Sequence, residues 1–173
     1  ALRASISTGF RAPSLQQRFY AKTNTLFVSQ GGTLVPIESG TFTNDSKPAE
    51  ILGIPKLKEE TSRSYTIGAT LNPSSNFEIT VDAYQIDIDD RIVLTNNFSD
   101  GGNATIKAQL AAANASSANF FTNAIDTRAT GIESVISYNL KLNDASSLKF
   151  VVAGIFIKNE VKKDANGKAI VKA

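Results

Sequence analysis

Apolar and polar side chains alternate residue by residue over stretches longer than most soluble strands, and a period of two commits this chain to β-structure. Leu2, Ala4, Ile6, Thr8 and Phe10 fall on one face of the first stretch, with Arg3, Ser5, Ser7, Gly9 and Arg11 on the other. The pattern returns in Tyr65, Ile67, Ala69 and Leu71, and again in Phe77, Ile79, Val81 and Ala83. A fourth strand carries Ile132, Ile136, Tyr138, Leu140 and Leu142, and a fifth carries Leu148, Phe150, Val152, Gly154 and Phe156. Asn166-Gly167, a strong hairpin signal, then lies between Val161-Lys162-Lys163 and Lys168-Ala169-Ile170-Val171, which predicts the start of a sixth strand.

The connections alternate in length. Asn72-Pro73-Ser74-Ser75-Asn76 and Asn143-Asp144-Ala145-Ser146-Ser147 are short and made of turn formers. The other two, from about Ala12 to Thr61 and from about Asn96 to Ala124, are long and keep no strand period. Within the second, Thr105 to Ala113 has high helix propensity with Ile106 and Leu110 four apart, so a short helix is expected, with an irregular loop as the alternative. Short turns at one end and long loops at the other are the anatomy of a membrane barrel. Strand length agrees: Phe77 to Leu94 runs without a turn former for some 60 Å at about 3.3 Å per residue, whereas sandwich strands hold about five or six residues.

Inside that stretch the apolar parity changes, from odd positions up to Ala83 to even positions at Tyr84, Ile86 and Ile88. A bulge would shift the register by one residue. Alternatively, both faces beyond the lipid are wet or packed against protein, and parity loses its meaning there. If the chain is a barrel segment, Ile67, Leu71, Ile79, Val81, Leu140, Leu142, Phe150 and Val152 are expected on one continuous outer surface, because lipid-facing positions must be apolar while a lumen tolerates charge.

Composition removes several classes of function. Lys and Arg number 18 against 16 Asp and Glu, so a formal charge of +2 gives no electrostatic reason to expect nucleic acid. Without Cys there is no disulfide framework, thiolate metal site or cysteine nucleophile, and without His the usual general base, metal imidazole and Ser-His-Asp triad are absent. The longest apolar run, Phe150 to Ile157, is only eight residues, too short for a helix crossing a bilayer. The chain opens on Ala1-Leu2-Arg3-Ala4 and contains no Met, so residues 1–173 are expected to be part of a longer chain.

Four segments resemble one family. Ser7-Thr8-Gly9-Phe10-Arg11-Ala12-Pro13-Ser14-Leu15-Gln16-Gln17 is similar to the strand-to-loop motif of TonB-dependent outer-membrane receptors. Leu57-Lys58-Glu59-Glu60-Thr61-Ser62 resembles their Leu-Lys-Pro-Glu-x-Ser segment, with Glu59 in place of the Pro. Val81-Asp82-Ala83-Tyr84-Gln85-Ile86-Asp87-Ile88-Asp89-Asp90-Arg91-Ile92 resembles the long strand that follows, and Phe120 to Arg128 with Gly131-Ile132 a later one. The resemblance implies an all-β fold in which residues 1–173 supply an antiparallel meander of five to six strands to a 22-stranded barrel, with the plug domain and the other strands elsewhere. It further implies residence in the bacterial outer membrane, contact with its lipid, and import of an iron chelate, vitamin or glycan driven by the TonB energy-transducing protein. The alternative is a secreted β-rich adhesion or glycan-binding module, which would need no detergent.

No catalytic, cofactor or metal residue is expected. Asp87 and Asp89, roughly 6.5 to 7 Å apart on one strand face, allow a weak glycosidase reading, but hydrogen-bonded pairs of Asp82, Asp87, Asp89, Asp90 and Arg91 on the wet or plug-facing side are favoured, and Asp126 with Arg128 reads the same way. Asp87-x-Asp89-Asp90 and Asp164-x-Asn166-Gly167 lack the spacing of a calcium loop, and Gly31-Gly32 and Gly101-Gly102 lack the setting of a phosphate cradle. Ligand capture belongs on the long loops, where Arg18, Phe19, Tyr20, Phe27 and Phe42 are the candidate contacts by residue type. The competing reading of these aromatics is that they anchor the loop to its neighbours.

Overall fold

A computed structural model of the chain describes residues 1–143, 145–162 and 168. Its strands are β1 (Leu2–Arg11), β2 (Lys22–Gln30), β3 (Thr33–Phe42), β4 (Glu60–Ser74), β5 (Phe77–Leu94), β6 (Ser117–Asn143) and β7 (Ser146–Val161). Three short helices lie in the connections: α1 (Leu15–Phe19), α2 (Lys47–Ile51) and α3 (Ala104–Ala112). The chain divides into two compact units. Unit 1 holds Ala1–Phe10, Thr61–Asp89 and the described residues from Asp126 on; unit 2 holds Arg11–Glu60 and Asp90–Ile125.

Unit 1 is a sheet in the order β1, β4, β5, β6, β7. It is the expected antiparallel meander: β4 runs against β5 and β6 against β7, and Ala1 and Thr70 exchange reciprocal hydrogen bonds. The two short turns are tighter than the sequence suggests, because the strands continue through Pro73-Ser74 and up to Asn143. Each turn is flanked by a register irregularity, between Leu71 and Ser74 and between Lys141 and Asn143. Pro73, which has no N–H to give a ladder, sits inside the first. The bulge considered within β5 is absent on its β4 side, where pairing runs unbroken from Thr61↔Asp89 to Leu71↔Ile79.

In unit 2 the long connections hold more structure than their sequence announces. The first contains the β2–β3 hairpin, closed by Gly31 and Gly32 at φ +58° and +85°, values that glycine adopts without strain. In the second, the short helix forms as α3, and Asn103 caps it by accepting from the N–H groups of Thr105 and Ile106. The strand after it starts at Ser117, earlier than the alternation at Ile132 implies, and its first residues pair in parallel with β3 through Ser39↔Ser117 to Phe42↔Phe120. That parallel pairing departs from the otherwise antiparallel pairs described here for β2–β3, β4–β5 and β6–β7. A small core joins α2, α3 and β6: Ala49, Leu110, Ala118 and Phe120, with Phe42, Leu52, Ile54 and Ile106 against them. The sixth strand expected after Asn166-Gly167 lies outside the described residues.

Candidate functional site

The buried apolar side chains among the described residues, Pro48, Ala49, Ile92, Leu110, Ala115, Ala118 and Phe120, belong to unit 2. Unit 1 therefore has no enclosed core, and its apolar side chains must be placed by strand register. Paired residues share a face. Ile67 opposes Ala83 and Leu71 opposes Ile79; across β6 and β7, Tyr138 opposes Phe150 and Ile136 opposes Val152. Tyr84 meets Gly131, Asp87 meets Arg128, and the Phe77 and Tyr138 rings stand edge to face at 6.3 Å, so the two halves of the sheet share one apolar face. Ile67, Leu71, Ile79, Val81, Leu140, Phe150 and Val152 all lie on it, Leu142 is exposed within the register irregularity that follows, and Ile67 and Val152 leave 65% and 69% of their surface open.

The opposite face is polar over most of its area. Arg3 donates from Nε to Asp82 at 2.9 Å and makes a second, closer bond from Nη2, and its Nη1 reaches Thr70 at 2.9 Å. Gly68 makes room for this pair, since a Cβ there would run into the Asp82 carboxylate. β7 is the exception, with Val151, Ile155 and Ile157 exposed on the side that carries Glu133 and Ser137 in β6.

The apolar face ends along one straight row. Tyr65, Gln85, Thr130 and Lys158 lie in register across β4 to β7, and the next row is Arg63, Asp87, Arg128 and Glu160. From there outward the same face is ionic. Arg128 donates to Asp87 at 2.7 Å, and Asp89 takes Lys162 at 2.7 Å and Arg63 at 3.2 Å. The expected pairs of Asp87 and Asp89 thus exist, but with cross-strand cations and on the apolar side of the sheet rather than the polar one. Asp126 is buried and its carbonyl accepts from the Lys162 N–H; its expected partner Arg128 is joined to Asp87. With Asp87 and Asp89 each held by cations, the arrangement gives neither the raised acid of a glycosidase pair.

Along β6, Ile132 to Leu142 is ten residue steps, about 33 Å along the strand and about 25 Å in projection at a barrel tilt of about 40°. That projection equals the height of the apolar belt of an outer-membrane barrel.

Unit 2 is tied together at the resembling motifs. Glu60, 6% exposed, accepts from Arg11 Nε and Nη2 at 2.9 and 2.6 Å and from the buried Ile92 N–H at 2.7 Å. Burial works against its charge, yet the Arg11 guanidinium and the Ile92 N–H hold the carboxyl below its ordinary pKa. Asn123 accepts from the Lys58 N–H at 3.0 Å and donates to the Lys58 and Asp90 carbonyls at 3.0 and 2.7 Å. Asp90, at φ +57°, is fixed there while its carboxylate pairs with Lys58 at 2.9 Å. Sequence reasoning quoted the motifs containing Glu60 and Asn123 but not their roles, because a buried acceptor is recognised only by what surrounds it.

The five candidate contacts differ in their surroundings. Arg18 lines a cavity of about 120 Å³ with Asn44, Asp45, Lys56 and Leu57, and its guanidinium lies 5.3 Å from the Phe19 ring centre. Phe19, Tyr20 and Phe27 are exposed, the last on the hairpin. Phe42 packs against Phe120, ring centres 6.2 Å apart, beside the core. The cavity is well below the roughly 300 to 1,000 Å³ of small-molecule pockets, so it fits one functional group rather than a whole ligand.

A family model described as TonB dependent receptor-like, beta-barrel matches residues 1–171. No curated protein matches the chain.

Proposed function

This chain belongs to the TonB-dependent receptor β-barrel family, outer-membrane receptors that transport, and from that we propose that it takes part in energised import of a scarce nutrient such as an iron chelate, vitamin or glycan. The observation that carries the membrane part is the face of unit 1: apolar over about 25 Å, exposed, and ending on a single row of strands in register. Outside a bilayer such a surface would aggregate. Residues 1–173 supply part of the barrel domain, and a plug and further strands complete it, since five strands cannot close a barrel of this kind. Among the described residues β1 and β7 do not pair with each other, which fits that reading.

Ligand capture falls to the exposed groups of unit 2. Arg18 offers a cation beside the Phe19 ring and an adjoining polar cavity, Tyr20 an exposed aromatic next in the chain, and Phe27 an apolar contact on the hairpin. Phe42 serves by anchoring β3 to Phe120. TonB is the partner that delivers energy, through parts of the receptor other than these loops.

The test is uptake. The full-length protein, expressed in a bacterial host, should fractionate with outer membranes and should accumulate one of a set of labelled ferric chelates, cobalamin or oligosaccharides. Accumulation should vanish in a strain without TonB. Uptake that continues there would overturn the energised mechanism, and recovery as a soluble periplasmic protein would overturn the membrane assignment.

A further inference from the structure

Arg3, Arg11, Arg63 and Arg128 each hold a carboxylate of the chain, and Arg18 does not. Its guanidinium is exposed in the last turn of α1 and lies over the Phe19 ring at 5.3 Å, with no carboxylate of the described residues at ion-pair distance. The turn that carries it is fixed in advance. The Ser14 hydroxyl accepts from the Gln17 N–H at 3.1 Å, the Gln17 side chain accepts from the Ser14 N–H at 3.0 Å, and the Arg18 N–H donates to the Ser14 carbonyl at 3.0 Å. The cavity of about 120 Å³ beside Arg18 has a polar wall. Asn44 donates from Nδ2 to the Pro55 and Phe121 carbonyls at 2.7 and 3.0 Å, which leaves its Oδ1 buried with no hydrogen-bond partner. Lys56 and Asp45 pair with each other at 3.1 Å and so cancel, which leaves the lining with the single positive charge of Arg18 in excess.

We propose that this cavity takes a hydroxycarboxylate group of the cargo, and that Arg18 selects cargo carrying one. The two carboxylate oxygens accept from the planar fork of Arg18, a geometry that guanidinium and carboxylate share. A hydroxyl beside the carboxylate supplies the donor that Asn44 Oδ1 lacks. The lining also argues against the competing groups. A phosphate monoester would bring a second negative charge towards Asp45, and a neutral group would leave the guanidinium without a charge-assisted partner. One such group is all the cavity has room for, so the remainder of the cargo lies outside it, beside the exposed Phe19. Hydroxycarboxylates occur both as the arms of ferric chelates and as the uronic acid units of glycans. The proposal rests on the reading that unit 2 captures the ligand, and it names the chemistry captured.

Calorimetric titration of the full-length protein in detergent tests it with two matched pairs of probes. Ferric citrate is set against a neutral ferric trihydroxamate, and an oligogalacturonate against a neutral oligogalactoside of the same length. In one pair the carboxylated member should bind about tenfold or more tighter than its neutral counterpart, and which pair shows the margin identifies the source of the group. Arg18→Ala should abolish that margin and leave binding of the neutral member unchanged. Arg18→Lys, which keeps the charge but not the fork, should restore only part of it. Asp45→Asn removes the negative charge of the lining and should tighten the carboxylated member about threefold, a gain that a misfolded variant could not give. Carboxylated and neutral members bound alike, neither of them bound, or the margin kept in Arg18→Ala would overturn the carboxylate site. Uptake keeps the two readings apart. A cargo accumulated through TonB but bound independently of Arg18 removes the site and leaves the import reading standing; carboxylate binding at Arg18 without TonB-dependent accumulation of any cargo removes the import reading and leaves the site.

Discussion

Arginine substitutions down the apolar face of β6 should show a depth profile whose centre is fixed by the structure. The belt on this strand runs from Ile132 to Leu142, so its middle falls between Ile136 and Tyr138. At about 3.3 Å per residue and a tilt of about 40°, Ile136 lies about 3 Å from the midplane, Leu140 about 8 Å and Ile132 about 13 Å. An arginine on the lipid face costs about 2 to 4 kcal/mol at the midplane and about 0 to 1 near the interface. Interpolation gives about 3 kcal/mol for Ile136→Arg, about 1.5 for Leu140→Arg and under about 1 for Ile132→Arg. Ser137 faces the polar side, so Ser137→Arg should lie near zero on this scale. Equilibrium unfolding of the full-length protein in lipid vesicles, titrated with urea, measures all four. The reasoning is refuted if Leu140→Arg costs more than Ile136→Arg, which would move the midplane away from the centre of this belt, or if Ser137→Arg costs as much as either, which would put lipid on the odd-numbered face of β6.

Four further outcomes follow from unit 2 and the polar face. Glu60→Ala strands the buried Ile92 N–H and should cost about 2 to 3 kcal/mol in the same titration. Because the folded carboxyl titrates below its unfolded value, the Glu60 contribution is complete above the ordinary glutamate pKa and fades as pH falls through the lower, folded one; the gap between wild type and Glu60→Gln should therefore close on acidification, and a constant gap would refute the assignment. Gly131→Val should push against the Tyr84 ring and cost about 1 to 3 kcal/mol, with a smaller penalty in a Tyr84→Ala background, read as a double-mutant cycle. Asn103→Ala removes the cap of α3 and should cost about 1 kcal/mol, visible as faster amide exchange at Thr105 and Ile106.

What could be read from sequence depended on how many faces of a strand meet protein. Unit 1 was legible because one side of each strand must be apolar against lipid and the other can be polar, so the period of two is at full strength in residues 65–71, 77–83 and 132–142. β2 and β3 were hidden because Leu26-Phe27-Val28 and Leu34-Val35-Pro36-Ile37 are apolar on consecutive positions, which erases the alternation. The start of β6 was hidden for another reason: its inward residues Ala118 and Phe120 are only two, and the Ser, Ala and Asn around them carry loop character. Of the five loop contacts, residue type alone could not separate Phe42, which anchors, from Phe27, which is open, because that difference lies in Phe120, 78 positions away from Phe42 in the chain.

The parity change in β5 has its explanation in the same rows. Read alone, apolar odd positions up to Ala83 followed by Tyr84, Ile86 and Ile88 suggest a slipped backbone, yet pairing with β4 continues without interruption through Thr66↔Tyr84 and Ser62↔Ile88. The backbone keeps its register while the surroundings change. At Gln85 the outward face becomes ionic, while on the other side Tyr84 lies against Gly131 and Ile86 and Ile88 are half-buried. β6 changes from Ile132 to Thr130 and Arg128 and β7 from Phe156 to Lys158 between the same two rows as β5, and β4 one row later, from Tyr65 to Arg63. Four strands of unrelated local sequence switch character at neighbouring rows of the same face. An apolar-to-ionic boundary that crosses several strands, independent of where each strand ends, is the signature of an external medium rather than of a core, since a core boundary follows the packing of its own side chains.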